Sequence, residues 1–238
     1  MDTQRIALVT GANKGIGFEI ARQLASAGVR VILGSRNPER GEKAARNITE
    51  GAVTPIQLDL TDHPSIARAG AEIDATYGRL DILVNNAAIF DFSDAPPSSA
   101  SFDAARRTME VNFFGTLAVT QAMLPLLRKA PEGRIVNLSS PLGSLTLNGT
   151  PDWMYYKAQF IGYNASKAAL NMLTVQLREE LRDTNIVVNS VSPGYVDTDL
   201  NGGAGYLTPE EGAEIPVRFS LEGEENGGFF DTDGRIPW

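Results

Sequence analysis

The chain reads Ile6-Ala7-Leu8-Val9-Thr10-Gly11-Ala12-Asn13-Lys14-Gly15-Ile16-Gly17 near its start, an apolar run followed by three glycines. The apolar run is typical of a buried strand, and the residues from the glycines through Ala27 have the pattern of a helix. Glycine lets a chain turn sharply and lets a ligand approach the backbone. The start of a helix offers unpaired N–H groups and a positive dipole end to a phosphate. The Gly-x-x-x-Gly-x-Gly spacing also suits a tight loop without a ligand, but the flanking strand and helix favour dinucleotide binding.

Short β-rich runs alternate with longer helical patterns along the rest of the chain. The predicted strands are residues 6–9, 29–34, 53–58, 80–84, 134–138 and 186–191, with a last strand near residues 229–230. Beyond the first helix, the predicted helices are residues 38–50, 64–77, 101–129, 166–181 and 209–220. This alternation predicts an α/β protein, a three-layer Rossmann fold whose doubly wound parallel sheet has about seven strands and helices on both faces. The sequence contains no linker or internal repeat, so we predict a single domain over residues 1–238.

The residue composition excludes several kinds of catalytic and metal site. The 238 residues include no cysteine, which excludes disulfides, thiolate nucleophiles and thiolate metal sites. The single histidine, His63, excludes a multi-histidine metal site, and a Ser-His-Asp triad would have to use it. His63 lies in Thr61-Asp62-His63-Pro64, a pattern typical of a helix start, and we expect it at the surface near the cap. We predict no metal site.

Charge and hydropathy limit the partners. The net charge is −8 and no basic stripe is present, which argues against nucleic acid. No stretch approaches the roughly 20 apolar residues that span a bilayer. The polar start, Met1-Asp2-Thr3-Gln4-Arg5, lacks the apolar region of a signal peptide. We therefore predict a cytoplasmic protein without a nucleic-acid or membrane partner.

Tyr163 and Lys167 form the most informative pair of polar residues, because they lie four positions apart in a predicted helix and share one face. An ammonium group near a tyrosine stabilises the phenolate, so we expect the pKa of Tyr163 to fall toward neutrality. Such a group donates a proton to a carbonyl or accepts one from an alcohol. The spacing also arises by chance on surface helices, but Tyr163 is the only one of six tyrosines with a lysine at this position.

Further polar residues follow predicted strands. Asn85-Asn86-Ala87-Ala88 comes after the fourth strand, where small and amide residues suit the floor beneath a flat ligand. Ser139 and Ser140 come directly after the fifth strand. An ordinary turn or helix cap is the alternative for both segments. In an open parallel sheet, however, ligands bind at the carboxyl ends of the strands, where the strand order reverses.

Taken together, these segments resemble the short-chain dehydrogenase/reductase family, in the right order and over nearly the whole chain. The resemblance is carried by Thr10-Gly11 with Gly15-Ile16-Gly17, Asn85-Asn86-Ala87, Ser140, and Tyr163 with Lys167. A fifth segment, Val191-Ser192-Pro193-Gly194-Tyr195-Val196-Asp197-Thr198, looks like the family's Pro-Gly loop under the nicotinamide. Lys14 and the ending at residues 227–238 resemble the carbonyl-reductase branch.

The resemblance implies a role for each catalytic candidate. Tyr163 is the acid or base, and Lys167 lowers its pKa and holds the nicotinamide ribose. Ser140 forms a hydrogen bond with the substrate oxygen, and is preferred to Ser139 because residues 140–143 match the family's Ser-x-x-Gly. Asn112 kinks its helix and supports a water that relays protons.

The resemblance and the end of the second strand together predict NADPH as the cofactor. Residues 33–36 read Leu-Gly-Ser-Arg, without the acid that would bind the ribose hydroxyls of NADH. Arg36 suits a 2′-phosphate, and Lys14 can approach it from the glycine loop, although a solvated Arg36 is the alternative. Asp59-Leu60 resembles the family's adenine-contacting pair. The predicted cofactor contacts are Gly11, Asn13, Lys14, Gly15, Ile16, Gly17, Ser35, Arg36, Asp59, Leu60, Asn86, Tyr163, Lys167, Pro193, Gly194, Val196 and Thr198.

The substrate pocket and the oligomeric state depend on the least patterned segments. We expect pocket walls from residues 91–97, 144–162 and 199–220. Ser140 and Tyr163 are 23 residues apart, which indicates an insertion relative to the simplest members that the resemblance implies. Trp153, Tyr156 and Phe160 would form one stripe if the insertion is helical, facing either the substrate or the domain itself. Insertions of this kind cover the family's dimer surface when long; we favour a homodimer here over a monomer.

The resemblance implies an NADPH-dependent carbonyl reductase that reduces a ketone or aldehyde, with Tyr163 as general acid. An alcohol dehydrogenase that works oxidatively is one alternative, and a catalytically silent NADP-sensing protein on the same fold is another. The fold alone would not support an activity. The complete set of Asn112, Ser140, Tyr163 and Lys167 argues against a silent protein.

Overall fold

One eight-stranded sheet, in the order β3-β2-β1-β4-β5-β6-β7-β8, forms the centre of the computed structural model, which describes residues 4–223 and 225–238. The strands are β1 (Ile6–Val9), β2 (Arg30–Ser35), β3 (Ala52–Gln57), β4 (Ile82–Asn85), β5 (Gly133–Leu138), β6 (Ile186–Val191), β7 (Phe229–Asp231) and β8 (Gly234–Arg235). Neighbours from β1 to β7 pair in parallel, and β8 runs antiparallel to β7. Because β1 lies between β2 and β4, the strand order reverses at the first strand.

Helices connect the parallel strands, as parallel pairing requires. They are α1 (Gly15–Ser26), α2 (Pro38–Asn47), α3 (His63–Tyr77), α4 (Phe102–Met109), α5 (Thr116–Leu127), α6 (Leu145–Asn148), α7 (Ile161–Glu180) and α8 (Pro209–Leu221). Alternate residues of β1 enter two separate cores, since successive strand side chains point to opposite faces. Ile6 and Leu8 pack with α3, α5 and α7, whereas Ala7 and Val9 pack with α1, α2 and α8.

These two cores confirm the predicted three-layer, doubly wound sheet, with one addition. The short β8 is an eighth strand that the sequence pattern does not predict. It forms because Asp231 accepts hydrogen bonds from the backbone N–H groups of Asp233 and Gly234, at 2.9 and 3.0 Å, and turns the chain back on β7. A strand of two residues is too short to show a period.

The single helix predicted over residues 101–129 is interrupted. A π-helical turn at Glu110–Gly115 separates α4 from α5. The π turn packs closely against the loop after β3, because a Cβ at Gly115 would lie 2.6 Å from the carbonyl oxygen of Leu60. The π turn is the kink that the resemblance implied for Asn112.

Two further expectations concern the surface. His63 is the first residue of α3 and is exposed beside the N-cap Asp62, as predicted. Within residues 4–223 and 225–238, no helix is both long enough and apolar enough to cross a membrane. The cytoplasmic location stays a prediction.

Candidate active site

The predicted site residues meet at the carboxyl edge of the sheet, around the point where the strand order reverses. Gly11 follows β1, Asn86 follows β4, Ser140 follows β5 and Pro193 follows β6. The four strands are adjacent in the sheet, so their ends form one continuous edge. Such an edge is where open α/β sheets bind their ligands.

The glycine loop packs so closely against the end of β4 that Gly11 and Gly17 have no space for a side chain. Gly11 and Gly15 adopt φ of +63° and +57°, a region that favours glycine. A Cβ at Gly11 would lie 2.9 Å from the Cβ of Ala87, and one at Gly17 would lie 2.4 Å from the Nδ2 of Asn86. Among the described residues, the side chain of Lys14 does not cap α1, and the first turn of α1 contains no acid. The backbone N–H groups of this turn therefore suit the phosphates of a dinucleotide.

Asn86 holds the glycine loop against the end of β4. Its Nδ2 donates to the carbonyl oxygens of Thr10 and Gly11 at 2.8 and 3.3 Å, and its backbone N–H donates to the hydroxyl of Thr10 at 3.0 Å. The neighbouring Asn85 points into the protein and donates to Asn137 at 2.8 Å. Of the two asparagines, only Asn86 therefore borders the cleft.

The ends of β2 and β3 fit the adenosine half of a phosphorylated dinucleotide. Ser35 is buried and donates to the carbonyl oxygen of Asn37 at 2.8 Å, which leaves Arg36 exposed at the strand end. Asp59 accepts from the backbone and hydroxyl of Thr61 at 2.9 and 2.8 Å, and Leu60 beside it is buried. The cleft thus has a cation and an apolar residue at the positions where the sequence predicts them.

Lys14 makes a contact that differs from the expected one. The sequence predicts that it approaches a 2′-phosphate near Arg36, but its Nζ lies 2.5 Å from the Oδ2 of Asp199, and both side chains are exposed. The reason is the loop after β6, which folds across the glycine loop and brings Thr198 beside Gly15. Pro193, Gly194 (φ +84°) and Val196 lie in the same loop.

Tyr163 and Lys167 lie one turn apart at the start of α7, a helix that begins five residues earlier than predicted. The Nζ of Lys167 lies 5.7 Å from the centroid of the Tyr163 ring and donates to the carbonyl oxygen of Leu138 at 2.7 Å. The side chain of Ser140 lies near the phenol of Tyr163 and favours its phenolate form. A Cβ at Gly143 would lie 2.6 Å from the backbone of Lys167, so the Ser-x-x-Gly pattern lets this turn pack closely against α7.

The two ionisable side chains are shifted toward their neutral forms. Burial lowers the pKa of Lys167 to about 8. Burial raises the pKa of Tyr163 to about 12, and the neighbouring Ser140 side chain only partly opposes this rise. The expected fall of the Tyr163 pKa toward neutrality is therefore wrong for the protein alone, because burial disfavours the phenolate and the Lys167 ammonium group donates its hydrogen bond to Leu138 instead. At neutral pH Tyr163 keeps its proton.

Ser139 and Ser140 have different surroundings, although they are adjacent. Ser139 is buried, and its hydroxyl has no hydrogen-bond partner among the described residues. Ser140 is partly exposed, accepts from the backbone N–H of Leu142 at 3.2 Å and contacts Tyr163. Only Ser140 thus faces the cleft.

Asn112 connects the end of β4 to α7 through the π turn. Its Oδ1 accepts from the backbone N–H of Ile89 at 2.8 Å, and its Nδ2 donates to the carbonyl oxygen of Ile89 at 2.9 Å and to the hydroxyl of Ser166 at 3.0 Å. The side chain is buried. Its role in a proton relay stays a prediction.

Aromatic residues from three loops form the substrate side of the cleft. The ring of Phe90 lies 5.5 Å from that of Tyr163 and 5.0 Å from that of Phe160. Further out, the rings of Trp153 and Tyr155 are 5.6 Å apart. These residues come from the predicted wall segments or lie directly beside them.

A tyrosine cluster joins the insertion to the loop after β6. The ring of Tyr195 lies 6.5 Å from that of Tyr155 and 6.0 Å from that of Tyr206, and burial, with a smaller effect from Tyr206, raises the pKa of Tyr155. Sequence reasoning placed Tyr155 and Tyr206 within predicted wall segments but did not predict that they meet, and it did not identify Phe90. Their one signal was aromatic character within loops that otherwise showed no periodicity.

The predicted stripe of Trp153, Tyr156 and Phe160 does not form. The insertion is helical only over α6, and residues 150–157 form successive turns. Helical spacing therefore does not apply, and Trp153 packs against Tyr155 while Phe160 packs against Phe90.

Comparison with known proteins agrees with this architecture. (-)-Isopiperitenone reductase from Mentha piperita is 33% identical, with 98% of this chain and 98% of that protein aligned. Carbonyl reductase (NADPH) 1 from Sus scrofa is 34% identical, over 98% of this chain and 93% of that protein. The crystal structure of NADPH-bound carbonyl reductase from chicken fatty liver superposes with a TM-score of 0.85 at 28% identity, covering 99% of this chain and 94% of that chain.

The family model for short chain dehydrogenases matches residues 5–205, which include the glycine loop, Ser140, Tyr163 and Lys167. Since the match and the aligned relatives cover most of the sequence, the chain belongs to the short-chain dehydrogenase family.

Proposed function

We propose that this member of the family is an NADPH-dependent carbonyl reductase that converts a ketone or aldehyde to an alcohol. The observation that carries the proposal is the contact of Ser140 with a Tyr163 whose pKa is about 12, beside the buried ammonium group of Lys167. At neutral pH a phenol with that pKa keeps its proton, so Tyr163 is in the protonated form that a general acid needs. The reductases among the aligned relatives support reduction, and an oxidative alcohol dehydrogenase is the alternative.

The catalytic roles follow from the positions of the side chains. Ser140 donates a hydrogen bond to the carbonyl oxygen of the substrate, and Tyr163 transfers its proton to the same oxygen. The positive charge of Lys167 stabilises the phenolate that Tyr163 leaves behind. Asn112 maintains the spacing between the end of β4 and α7.

The cofactor is NADPH, which supplies a hydride to the carbonyl carbon when it is bound. The glycine loop holds its pyrophosphate, and Arg36 pairs with its 2′-phosphate. The absence of an acid at the end of β2 supports this choice, as does the NADPH named for the carbonyl reductase of chicken fatty liver. Lys167 would hold the nicotinamide ribose, and the loop at residues 193–198 would support the nicotinamide.

The experiment is a panel of ketones and aldehydes assayed with NADPH and with NADH, with cofactor absorbance as the readout. We expect turnover with a clear preference for NADPH, and loss of that preference in Arg36→Ala. Equal kcat/KM values for both cofactors would contradict the cofactor assignment. NADPH binding without turnover on any carbonyl would instead support the silent NADP-sensing protein.

The homodimer stays a prediction. Large apolar side chains on the long helices and the π turn are exposed, among them Phe102, Phe114 and Met172. Light scattering on the purified protein measures the oligomeric state directly, and a monomer would remove this prediction without affecting the proposed activity.

A further inference from the structure

Asp94 is a buried acid that lies outside the family motifs described above. Its side chain is 7% exposed. One carboxylate oxygen, Oδ1, accepts from the backbone N–H groups of Gly162 and Ala95 at 3.1 and 2.9 Å. The other, Oδ2, accepts from the backbone N–H of Tyr163 at 2.8 Å. The carboxylate therefore binds directly to the backbone of the residue that carries the proton.

These hydrogen bonds cap α7 from a distant part of the chain. The first N–H groups of a helix have no partner within the helix and need one elsewhere. The N-cap residue of α7 is Phe160, whose ring cannot accept such a bond. Instead, the N–H of Ile161 donates to the carbonyl oxygen of Ala95 at 3.2 Å, and the next two go to Asp94. A carboxylate at a helix N-terminus is also favoured by the helix dipole.

Tyr163 depends on this cap more than Lys167 does. Tyr163 is the third residue of α7 and lies in the first turn, which is the part of a helix most prone to fray. Lys167 lies one turn deeper, and its ammonium group is tethered to the end of β5. The first turn also has little freedom to adjust, because a Cβ at Gly162 would lie 2.8 Å from the backbone of Ala105 in α4.

The loop that carries Asp94 is itself anchored by the residues just before it. Asp91 accepts two hydrogen bonds from Arg107 of α4, at 2.8 and 2.9 Å, and two more from Ser93. Phe90, four residues before Asp94, packs its ring against that of Tyr163. One short loop therefore holds both the backbone and the ring of Tyr163.

We propose that Asp94 is a positioning residue for the reaction: by capping α7, its carboxylate sets the distance between the hydroxyl of Tyr163 and Ser140. The inference rests on the proposed function, in which that hydroxyl donates the proton. Asparagine is a poor replacement, because its amide has one acceptor oxygen and would turn an N–H donor toward another N–H. Rate depends steeply on such placement, since a misplacement of about 1 Å can cost roughly 10²-fold.

The test compares Asp94→Asn with Asp103→Asn, which changes an exposed acid in the first turn of α4. We expect Asp94→Asn to lower kcat about 10- to 100-fold. The dissociation constant of NADPH, measured by fluorescence, should change less than about twofold, because the glycine loop does not contact this cap. Asp103→Asn should match the wild type in both measurements.

A double mutant separates positioning from a general structural role. In Tyr163→Phe no hydroxyl remains to be placed, so adding Asp94→Asn should lower the residual rate little further. If the two losses multiply instead, Asp94 does not act through Tyr163 and the inference is overturned. Unchanged kcat in a folded Asp94→Asn would overturn it as well.

Folding is checked by circular dichroism, with Asp94→Ser as a second variant that keeps one acceptor. A folded Asp94→Ser with reduced kcat and normal NADPH affinity supports the inference, whereas loss of fold in both variants would assign Asp94 a structural role and overturn it. A wild type that reduces no carbonyl compound would contradict the proposed function itself, and this outcome is distinct from all of those that test Asp94.

Discussion

The two sides of the cleft are built differently. On the cofactor side, Gly11 and Asn86 come directly off β1 and β4, and parallel strand pairing sets their positions. On the substrate side, the walls come from loops whose contacts are mostly between aromatic side chains distant in sequence, such as Phe90 with Phe160 and Tyr155 with Tyr206. Strand register therefore positions the residues proposed to bind the cofactor, whereas packing between loops positions those proposed to contact the substrate.

Tyr163 lies between the two sides, and its loss should give the largest effect. Tyr163→Phe keeps the ring and its contact with Phe90 but removes the proton donor. We expect kcat to fall by about 10²–10⁴ while NADPH still binds. Steady-state kinetics and NADPH fluorescence titration measure both quantities. Retention of most activity in a folded variant would show that the proton comes from another group.

Ser140 and Ser139 form a matched pair for mutation, because Ser140 is partly exposed at the cleft and the adjacent Ser139 is buried. Ser140→Ala removes the hydrogen bond to the substrate oxygen, and we expect kcat/KM to fall by about 10²–10³. Ser139→Ala removes a buried hydroxyl that lacks a partner among the described residues, so its kcat/KM should stay within about threefold of the wild type. The reverse order of the two losses would reassign the substrate contact to Ser139.

The pH dependence of reduction should follow Lys167. With a pKa of about 8, its ammonium group is charged below pH 8 and loses its proton above it, whereas Tyr163, with a pKa of about 12, stays protonated across this range. We expect kcat/KM for reduction to be level up to about pH 8 and then to fall about tenfold per pH unit. A profile measured from pH 6 to 10 that stays level throughout would contradict the role of the charge.

Alanine substitutions at Gly11 and Gly28 test whether the glycine loop binds the cofactor, because both positions have positive φ but only Gly11 lies in that loop. Both adopt positive φ, +63° and +82°, so alanine strains the backbone at either position. Of these two glycines, only Gly11 has a neighbour that the new Cβ would meet, the Cβ of Ala87 at 2.9 Å. Gly11 also lies in the glycine loop, whereas Gly28 does not. We expect Gly11→Ala to weaken NADPH binding roughly tenfold and Gly28→Ala to leave it unchanged, although both lose some stability. Equal NADPH affinities would place the phosphates away from this loop.

Trp153 tests the substrate side, where we expect the smallest effect. Its ring contributes one aromatic pair to the wall, a contact worth about 0.5–1.5 kcal/mol, so Trp153→Ala should raise KM for bulky ketones about two- to tenfold. NADPH affinity should not change. Tyr156→Ala is the control, since Tyr156 makes no ring contact in the part of the chain that the structure describes. Equal KM values in the two variants would remove Trp153 from the pocket.

Sequence reasoning anticipated the position of residues best where the pattern lies within one element. The glycine loop, the Tyr163–Lys167 pair and the choice of Ser140 depend on local spacing, and the structure brings all of them to the same sheet edge. It failed where a property depends on the surroundings. The pKa of Tyr163 rises instead of falling because the phenol is buried, and no motif records burial.

The secondary structure of the insertion also depends on its surroundings and differs from what its residue spacing suggests. Trp153, Tyr156 and Phe160 have helical spacing, but residues 150–157 form turns because the segment is held by contacts from outside itself. Asn164 of α7 donates to the carbonyl oxygen of Ala158 at 2.9 Å, and its side chain also bonds to Asn148. A period is informative only when one face of a regular element meets one core.

By itself, the sequence determined the α/β class, the order of the elements, the family and the identity of the chemical groups, because strand and helix periods and short motifs are local properties of the chain. Only the tertiary structure reveals that Asp94 caps α7, that Lys14 pairs with Asp199 and that the rings of Tyr155, Tyr195 and Tyr206 form one cluster. The physical reason is that each of these contacts joins residues from separate segments of the chain. Their meeting depends on how the whole sheet and its loops pack, which no local pattern encodes.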